Sequence, residues 1–337
     1  MISNPTIVFT GQGQVQIEER KLSDPASGEL VIRTLKTLIS TGTELTVLQG
    51  NEILPGSRLD KHGKYPYLPG YNNIGVVIDA GDDVSKSWLG KKVATYGNHA
   101  AYINIPYEKA RVVPPDIVDD QAVFFTIAEI VLNGIRRGKV SLGDSVVVFG
   151  LGLLGQMAVR ICRLCGANPV MGVDVSDSRR ELLPVEPSVI PIKFDRENII
   201  EIVSQATKNR MADIVIELTG NASLIPEEFK VLRSQGKFVI LSSPRGKSHF
   251  DFNDFCSGPS YQIIGAHNSS HPEVATLDNP WTLHRDSELF FTLLTNKELD
   301  MTPLISHHAN FREAIGIYDM LVKDRSKAMG VILDWDV

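Results

Sequence analysis

The densest chemistry in the chain is the run Ser145-Val-Val-Val-Phe-Gly150-Leu-Gly152-Leu-Leu-Gly155, an apolar segment feeding three glycines in the order G-x-G-x-x-G. Nineteen residues past Gly155, a second apolar segment ends in Asp174. This strand–turn–helix context turns a common glycine pattern into a dinucleotide site. Gly150 makes the tight turn, Gly152 lets the backbone approach a pyrophosphate, and Gly155 permits close helix–strand packing. The amides of Leu153 and Leu154 open the helix, where free N–H groups and the positive end of the helix dipole hold phosphate charge. A carboxylate at Asp174 accepts both ribose hydroxyls and repels a 2′-phosphate, so the cofactor expected is NAD, with NADP second. Arg179 and Arg180 follow it as residues flanking the adenine, and they are the groups that would hold a 2′-phosphate. Thr219, Leu241, Ser242 and Ser243 end two later strands, on the edge where ligands of open α/β sheets sit.

The elements that must position these groups are legible in outline. Up to about Asp119, short β-branched runs such as Glu29–Arg33, Ile74–Ile78 and Lys92–Thr95 alternate with glycine and proline turns. That texture suits a β barrel or sandwich. A helix is expected over Gln121–Arg137, and beyond it apolar strands alternate with helix-length segments as far as a last strand at Tyr261–Ile264. Such alternation points to a parallel sheet covered on both faces. Two amphipathic stretches and the strand-like Gly330–Leu333 close the chain.

Composition narrows the class. The 337 residues are 43% apolar and 22% charged, and glycine and proline are at ordinary levels, so collagen-like and disordered readings are excluded. A net charge of −6 offers no basic field for a nucleic acid. The most apolar stretch, residues 145–159, is too short and glycine-rich to span a bilayer, and no signal peptide is evident. Three cysteines, Cys162, Cys165 and Cys256, fit a reducing cytoplasm better than a disulfide framework. Cys162 and Cys165 read as small core residues of the helix behind the glycine motif, and His307-His308 as structural.

Taken with Ile39-Ser-Thr-Gly-Thr-Glu-Leu45, Pro69-Gly-Tyr-Asn-Asn-Ile-Gly75 and the Gly143-Asp144 lead-in, the whole chain resembles the medium-chain dehydrogenase/reductase superfamily, in particular its alcohol, sorbitol and threonine dehydrogenases. The resemblance implies an α/β architecture: a GroES-like β-rich catalytic domain (1–122 and 270–337) with an inserted Rossmann domain (123–269), a doubly wound parallel sheet. It further implies substrate binding in a cleft and a homodimer formed through the last Rossmann strand. Members that use catalytic zinc carry Gly-x-Cys-Gly-Thr-Asp and Gly-His-Glu at the first two of these places. Here the cysteine position is Thr41, the aspartate Glu44, the histidine Tyr71 and the glutamate Asn72, and the third ligand falls near Thr126. Hydroxyls and amides are poor zinc ligands, and the carboxylates of Glu44 and Glu129 are too few. The structural-zinc lobe is missing as well. No zinc is expected.

Without a Lewis acid, hydride transfer needs another proton donor or acceptor. Thr43, at the hydroxyl position of the zinc enzymes' proton relay, and Tyr71 are the leading candidates, with Glu44 and Glu129 as further bases. Thr41, Asn72 and His99 are expected to face substrate, and His267 the nicotinamide. The expectation is a zinc-independent, NAD-dependent oxidoreductase of the superfamily's zinc-less branch, interconverting a secondary alcohol of a sugar, polyol or other hydroxylated metabolite and a ketone. The alternatives are an NADPH-dependent quinone or enone reductase and a non-catalytic dinucleotide-binding sensor. Relative affinity for the two cofactors separates the first, and absence of turnover on an alcohol and ketone panel the second.

Overall fold

A computed structural model describes residues 3–50 and 64–336. The chain divides into two compact units, Met1–Thr126 with Ser287–Val337, and Ile127–Asp286. The second interrupts the first in sequence. Residues 270–286, grouped with the tail in the sequence reading, cluster with the second unit.

Among the described residues the first unit is built on a seven-stranded sheet. Its order is Ile305–Asn310, Gly330–Asp334, Glu29–Leu38, Asn73–Ala80, Lys92–Thr95, Arg111–Val112, with Tyr102–Pro106 also paired to Glu29–Leu38. A hairpin of Pro5–Gly11 and Gln14–Glu19 accompanies it. The pairing is antiparallel apart from Ile305–Asn310 beside Gly330–Asp334. Large aromatics lock its core: Phe311 and Trp335 stack at 4.5 Å, and Tyr318 meets Phe9 edge-on at 5.1 Å. Burying each such ring contributes roughly 1.5–3 kcal/mol.

One helix of this unit, Thr43–Gln49, was read as β texture because its Thr-Glu-Leu-Thr-Val sequence is rich in β-branched residues. Burial of Leu45, Val47 and Leu48 in the core overrides that propensity, and Gly50 at φ +63° ends the helix. The strand Ile305–Asn310 was also missed, since its Ser-His-His centre carries little β signal.

The second unit is a six-stranded parallel sheet in the order Val189–Lys193, Val170–Asp174, Val146–Phe149, Ala212–Glu217, Leu232–Ile240, Gln262–Gly265. Val146–Phe149 is buried at every position, as a central strand covered on both faces requires. The helix Leu153–Leu164 returns the chain from that strand to Val170. Order reverses between Val146–Phe149 and Ala212–Glu217, so the glycine turn sits at the topological switch point. The segment read as one helix over Gln121–Arg137 is two, Asp119–Ala122 and Phe125–Gly138. Between the fourth and fifth strands the helical segment is only Ile225–Glu228 and a 3-10 turn, because Leu232 already starts the next strand.

Candidate functional site

In the second unit the glycines are required by geometry. Gly150 has φ +88°, and a Cβ there would lie 2.8 Å from the Leu218 carbonyl. A Cβ on Gly155 would lie 1.9 Å from the Gly150 oxygen, which forbids any side chain. A Cβ on Gly152 would meet nothing within 4 Å, so open space lies over that residue. No side chain caps the helix Leu153–Leu164, and the first-turn amides of Leu153, Leu154 and Gly155 have no acceptor within the helix. An open cradle beside uncapped amides fits the diphosphate of a dinucleotide.

Asp174 ends the second strand with its carboxylate turned onto the glycine turn. Oδ2 accepts the Leu151 amide at 2.7 Å and Oδ1 accepts the Ser176 amide at 2.9 Å. Each oxygen has capacity for a further donor, so two ribose hydroxyls can still be received. Arg179 lies 3.6 Å from Oδ2, while Arg180 is spent on the Asp174 carbonyl and on Asp177. The residues present fit a dinucleotide.

Of the hydroxyls expected at the ligand edge of the sheet, those of Thr219 and Ser242 are bonded within the protein. Fully buried Glu217 receives Thr219 Oγ1 at 2.7 Å, the Gly220 amide at 2.8 Å and the Ser242 hydroxyl. Leu241 is buried against Gly134, and Ser243 is exposed. His267 is exposed, and its Nδ1 accepts the Ser269 amide, capping a 3-10 turn. Its carbonyl accepts Asn133 Nδ2 at 3.0 Å.

A buried ionic cluster of this unit escaped the sequence reading. Asp286 receives Arg136 at 3.0 Å and His271 Nε2 at 3.1 Å, while His271 Nδ1 lies 2.8 Å from the Asn268 carbonyl. Burial would lower the His271 pKa, but the bonds to Asp286 and Asn268 and the charges of Asp286 and Glu129 raise it on balance. Glu129 is completely buried, so it is not a solvent-facing base. In His284-Arg285-Asp286 nothing signalled this role, because three consecutive polar residues look like surface.

In the first unit a polar cluster gathers around the turn after Glu29–Leu38. The Tyr71 phenol donates to Ser40 Oγ and is also bonded to Thr43. Burial pushes that phenol above its ordinary pKa, the Ser40 and Thr43 bonds oppose the shift, and the Glu44 charge adds to it. Glu44 and His99 are both wholly buried, with Oε2 and Nε2 3.2 Å apart. Glu44 therefore has no exposed face, and the His99 ring is turned onto the Glu44 carboxylate inside this unit. Asn72 is buried, donating to the Leu38 carbonyl, and its Oδ1 has no hydrogen-bond partner. Thr41 is half-buried and its carbonyl accepts Arg325. Away from this cluster, His308 lies 3.4 Å from Asp120 and 3.5 Å from Asp334.

The donor set does not fit zinc. Thr126 Oγ1 donates to the Tyr71 carbonyl, the Tyr71 phenol is held by hydroxyls, and Asn72 offers only an amide oxygen. Among the described residues no three His, Cys, Asp or Glu side chains are grouped to hold a metal. None of the described helices is long and apolar enough to cross a membrane.

The chain is similar to several known dehydrogenases. Residues 154–279 match the family model for zinc-binding dehydrogenases. The D-guloside 3-dehydrogenase of Escherichia coli K12 is 27% identical over 267 residues, 77% of this chain and 75% of its own. The L-threonine 3-dehydrogenase of Chromobacterium violaceum is 24% identical over 95% of this chain and 96% of its own. Among solved structures, an alcohol dehydrogenase of Escherichia coli CFT073 complexed with NADH superposes with a TM-score of 0.82 at 18% identity, covering 98% of this chain and 99% of that one.

Proposed function

The chain belongs to the medium-chain dehydrogenase/reductase superfamily, and from that premise we propose that it is a zinc-independent, NAD(H)-dependent oxidoreductase interconverting a secondary alcohol and a ketone. The observation that carries the reading is the open glycine turn tied to Asp174. When bound, the nicotinamide dinucleotide supplies the hydride or receives it. Leu153, Leu154 and Gly155 would hold its phosphates through their amides, and Asp174 its ribose. Asp174 favours NAD, and of the two cations that would hold a 2′-phosphate, Arg180 is committed to Asp177 and Arg179 lies beside Asp174 itself.

On the proton side, Tyr71 and Thr43 carry the chemistry. A phenol pushed above its ordinary pKa stays protonated at neutral pH, so Tyr71 serves as donor to a ketone oxygen that is gaining negative charge. Ser40 and Thr43 fix its direction and give the proton a hydroxyl path. Amide and hydroxyl groups at Thr41, Thr43 and Asn72 suit a hydroxylated substrate such as a sugar or polyol. The D-guloside and threonine enzymes act on hydroxylated compounds, which supports that class. The last strand, Gln262–Gly265, is a sheet edge with Ile263 exposed, and we assign it to a homodimer. The free thiols of Cys162, Cys165 and Cys256 support a cytoplasmic location.

Fluorescence titration with NADH and NADPH, metal analysis and a polyol and ketone panel test the reading together. NADH is expected to bind at least about tenfold tighter, a difference of ~1.4 kcal/mol. Turnover is expected to survive chelation without bound zinc. Stoichiometric zinc, or tight NADPH with weak NADH, would sink it.

A further inference from the structure

One carboxylate in the first unit draws in residues from distant parts of the chain. Glu44 Oε1 accepts the Ser40 amide at 2.9 Å, and Oε2 receives the Tyr318 hydroxyl and faces His99 Nε2 at 3.2 Å. Glu44, His99 and Tyr318 are all 0% exposed. A carboxylate only accepts, so the proton of His99 sits on Nε2, and its Nδ1 is left buried without a partner. Taking an acid into the core costs several kcal/mol unless donors surround it, and volume alone would be filled better by an apolar residue.

The same groups hold the strap that carries Tyr71. The His99 amide donates to the Pro69 carbonyl at 2.8 Å. Gly70, at φ +102°, lies so close that a Cβ would come within 2.7 Å of the His99 nitrogen. On the other side, Ser40 gives its amide to Glu44 and its hydroxyl oxygen to the Tyr71 phenol.

We propose that Glu44, clamped by His99 and Tyr318, is a positioning residue that acts through Ser40 to keep the Tyr71 phenol aligned as a proton donor. This rests on the assignment of Tyr71 as the donor made above. The titratable group acting on that phenol is Glu44, and the phenol acts in turn on Tyr67. Tyr67 is itself pushed up to about 12 by burial first, then by the charges of Glu44 and Tyr71. Ser40 and Thr43 complete its surroundings without titrating. The Glu44 charge and the Ser40 bond act on Tyr71 in opposite directions, so disturbing the clamp must change the phenol as well as the rate.

The test follows the Tyr71 phenol by ultraviolet difference titration, assigned as the signal lost in Tyr71→Phe, alongside steady-state kinetics. Glu44→Gln removes the charge, and the Tyr71 titration is expected to move down by about half a unit or more. The alkaline limb of the kcat profile moves with it, while KM changes less than ~2-fold. Tyr318→Phe keeps the ring against Phe9 and removes one donor, so the less neutralised Glu44 moves the titration upward and lowers kcat. It also serves if Glu44→Gln folds poorly. An unmoved Tyr71 titration in both variants, in an enzyme that still depends on Tyr71, overturns the proposal alone. Full turnover in Tyr71→Phe overturns the donor assignment and the proposal with it.

Discussion

Asp174 and Leu151 are joined by a 2.7 Å hydrogen bond from the Leu151 amide to carboxylate Oδ2, across the mouth of the glycine turn. The residue that reads the ribose in the proposed function therefore also shapes the loop that faces the phosphates.

Replacing Asp174 by alanine should consequently do two separable things. The Leu151 and Ser176 amides lose their acceptor, and an unpaired buried donor costs about 1–3 kcal/mol. Cofactor-free protein should lose that much stability and unfold at a correspondingly lower temperature. NADH affinity should fall about tenfold or more while NADPH affinity falls less, because the repulsion of a 2′-phosphate is gone as well. Calorimetry without cofactor and paired fluorescence titrations check the two halves. A variant with unchanged Tm would show that the bond to the turn contributes nothing.

The glycines should divide in the same way. Gly155→Ala drives a Cβ into the Gly150 oxygen at 1.9 Å, so either the helix start or the turn must shift. Low soluble yield or a large fall in Tm is expected. Gly152→Ala meets nothing in the protein, so the fold should be intact. Only NADH binding should suffer, by about tenfold or more. Equal Tm losses in the two variants would contradict the open cradle.

How far the sequence reached follows from the physics of each element. The nucleotide unit was readable because its strands are continuous apolar runs and its turn demands glycine at fixed spacing. The Asp174 position followed from the same spacing. Side-chain direction was not readable. Thr219 and Ser242 were expected to face ligand, yet buried Glu217 draws both hydroxyls inward. His99 was read as a substrate group because its place in the chain says nothing of the buried acid 55 residues earlier. Tyr318 fell within a stretch read only as amphipathic, and its partner Glu44 lies 274 residues away.

Glu228 supplies a pH test in the second unit. It is wholly buried, and neither carboxylate oxygen has a hydrogen-bond partner. Burial first, and the Glu217 charge second, push its pKa up to about 9 from the ordinary carboxylate value of 4.5. With the folded pKa above the unfolded one, its contribution is fully present below 4.5 and is lost as pH climbs toward about 9. Glu228→Leu removes that dependence. The variant should gain on the parent as pH rises, with a higher Tm at pH about 8.5 and little or no advantage at pH about 5. For a domain of this size each kcal/mol corresponds to roughly 2–4 °C. Thermal melts at the two pH values decide it, and a pH-independent difference would mean the carboxyl is not the cause.

The Asp286 cluster has its own pH signature. Both His271 ring nitrogens face acceptors, Asp286 and the Asn268 carbonyl, so the imidazolium is the form that satisfies them. Although burial lowers its pKa, those bonds and the charges of Asp286 and Glu129 raise it overall. A raised histidine contributes stability that is complete below its unfolded value near 6.5 and fades as pH passes its folded value. His271→Gln should therefore cost more at pH about 6 than at pH about 8.5. Asp286→Asn should cost more than either, about 1–3 kcal/mol, since it also strips the half-buried Arg136 of its carboxylate. Urea unfolding at both pH values measures these differences, with amide exchange over residues 266–286 showing where the loss occurs. If His271→Gln is equally costly at both, the ring is neutral and serves only to fill space between Asn268 and Asp286.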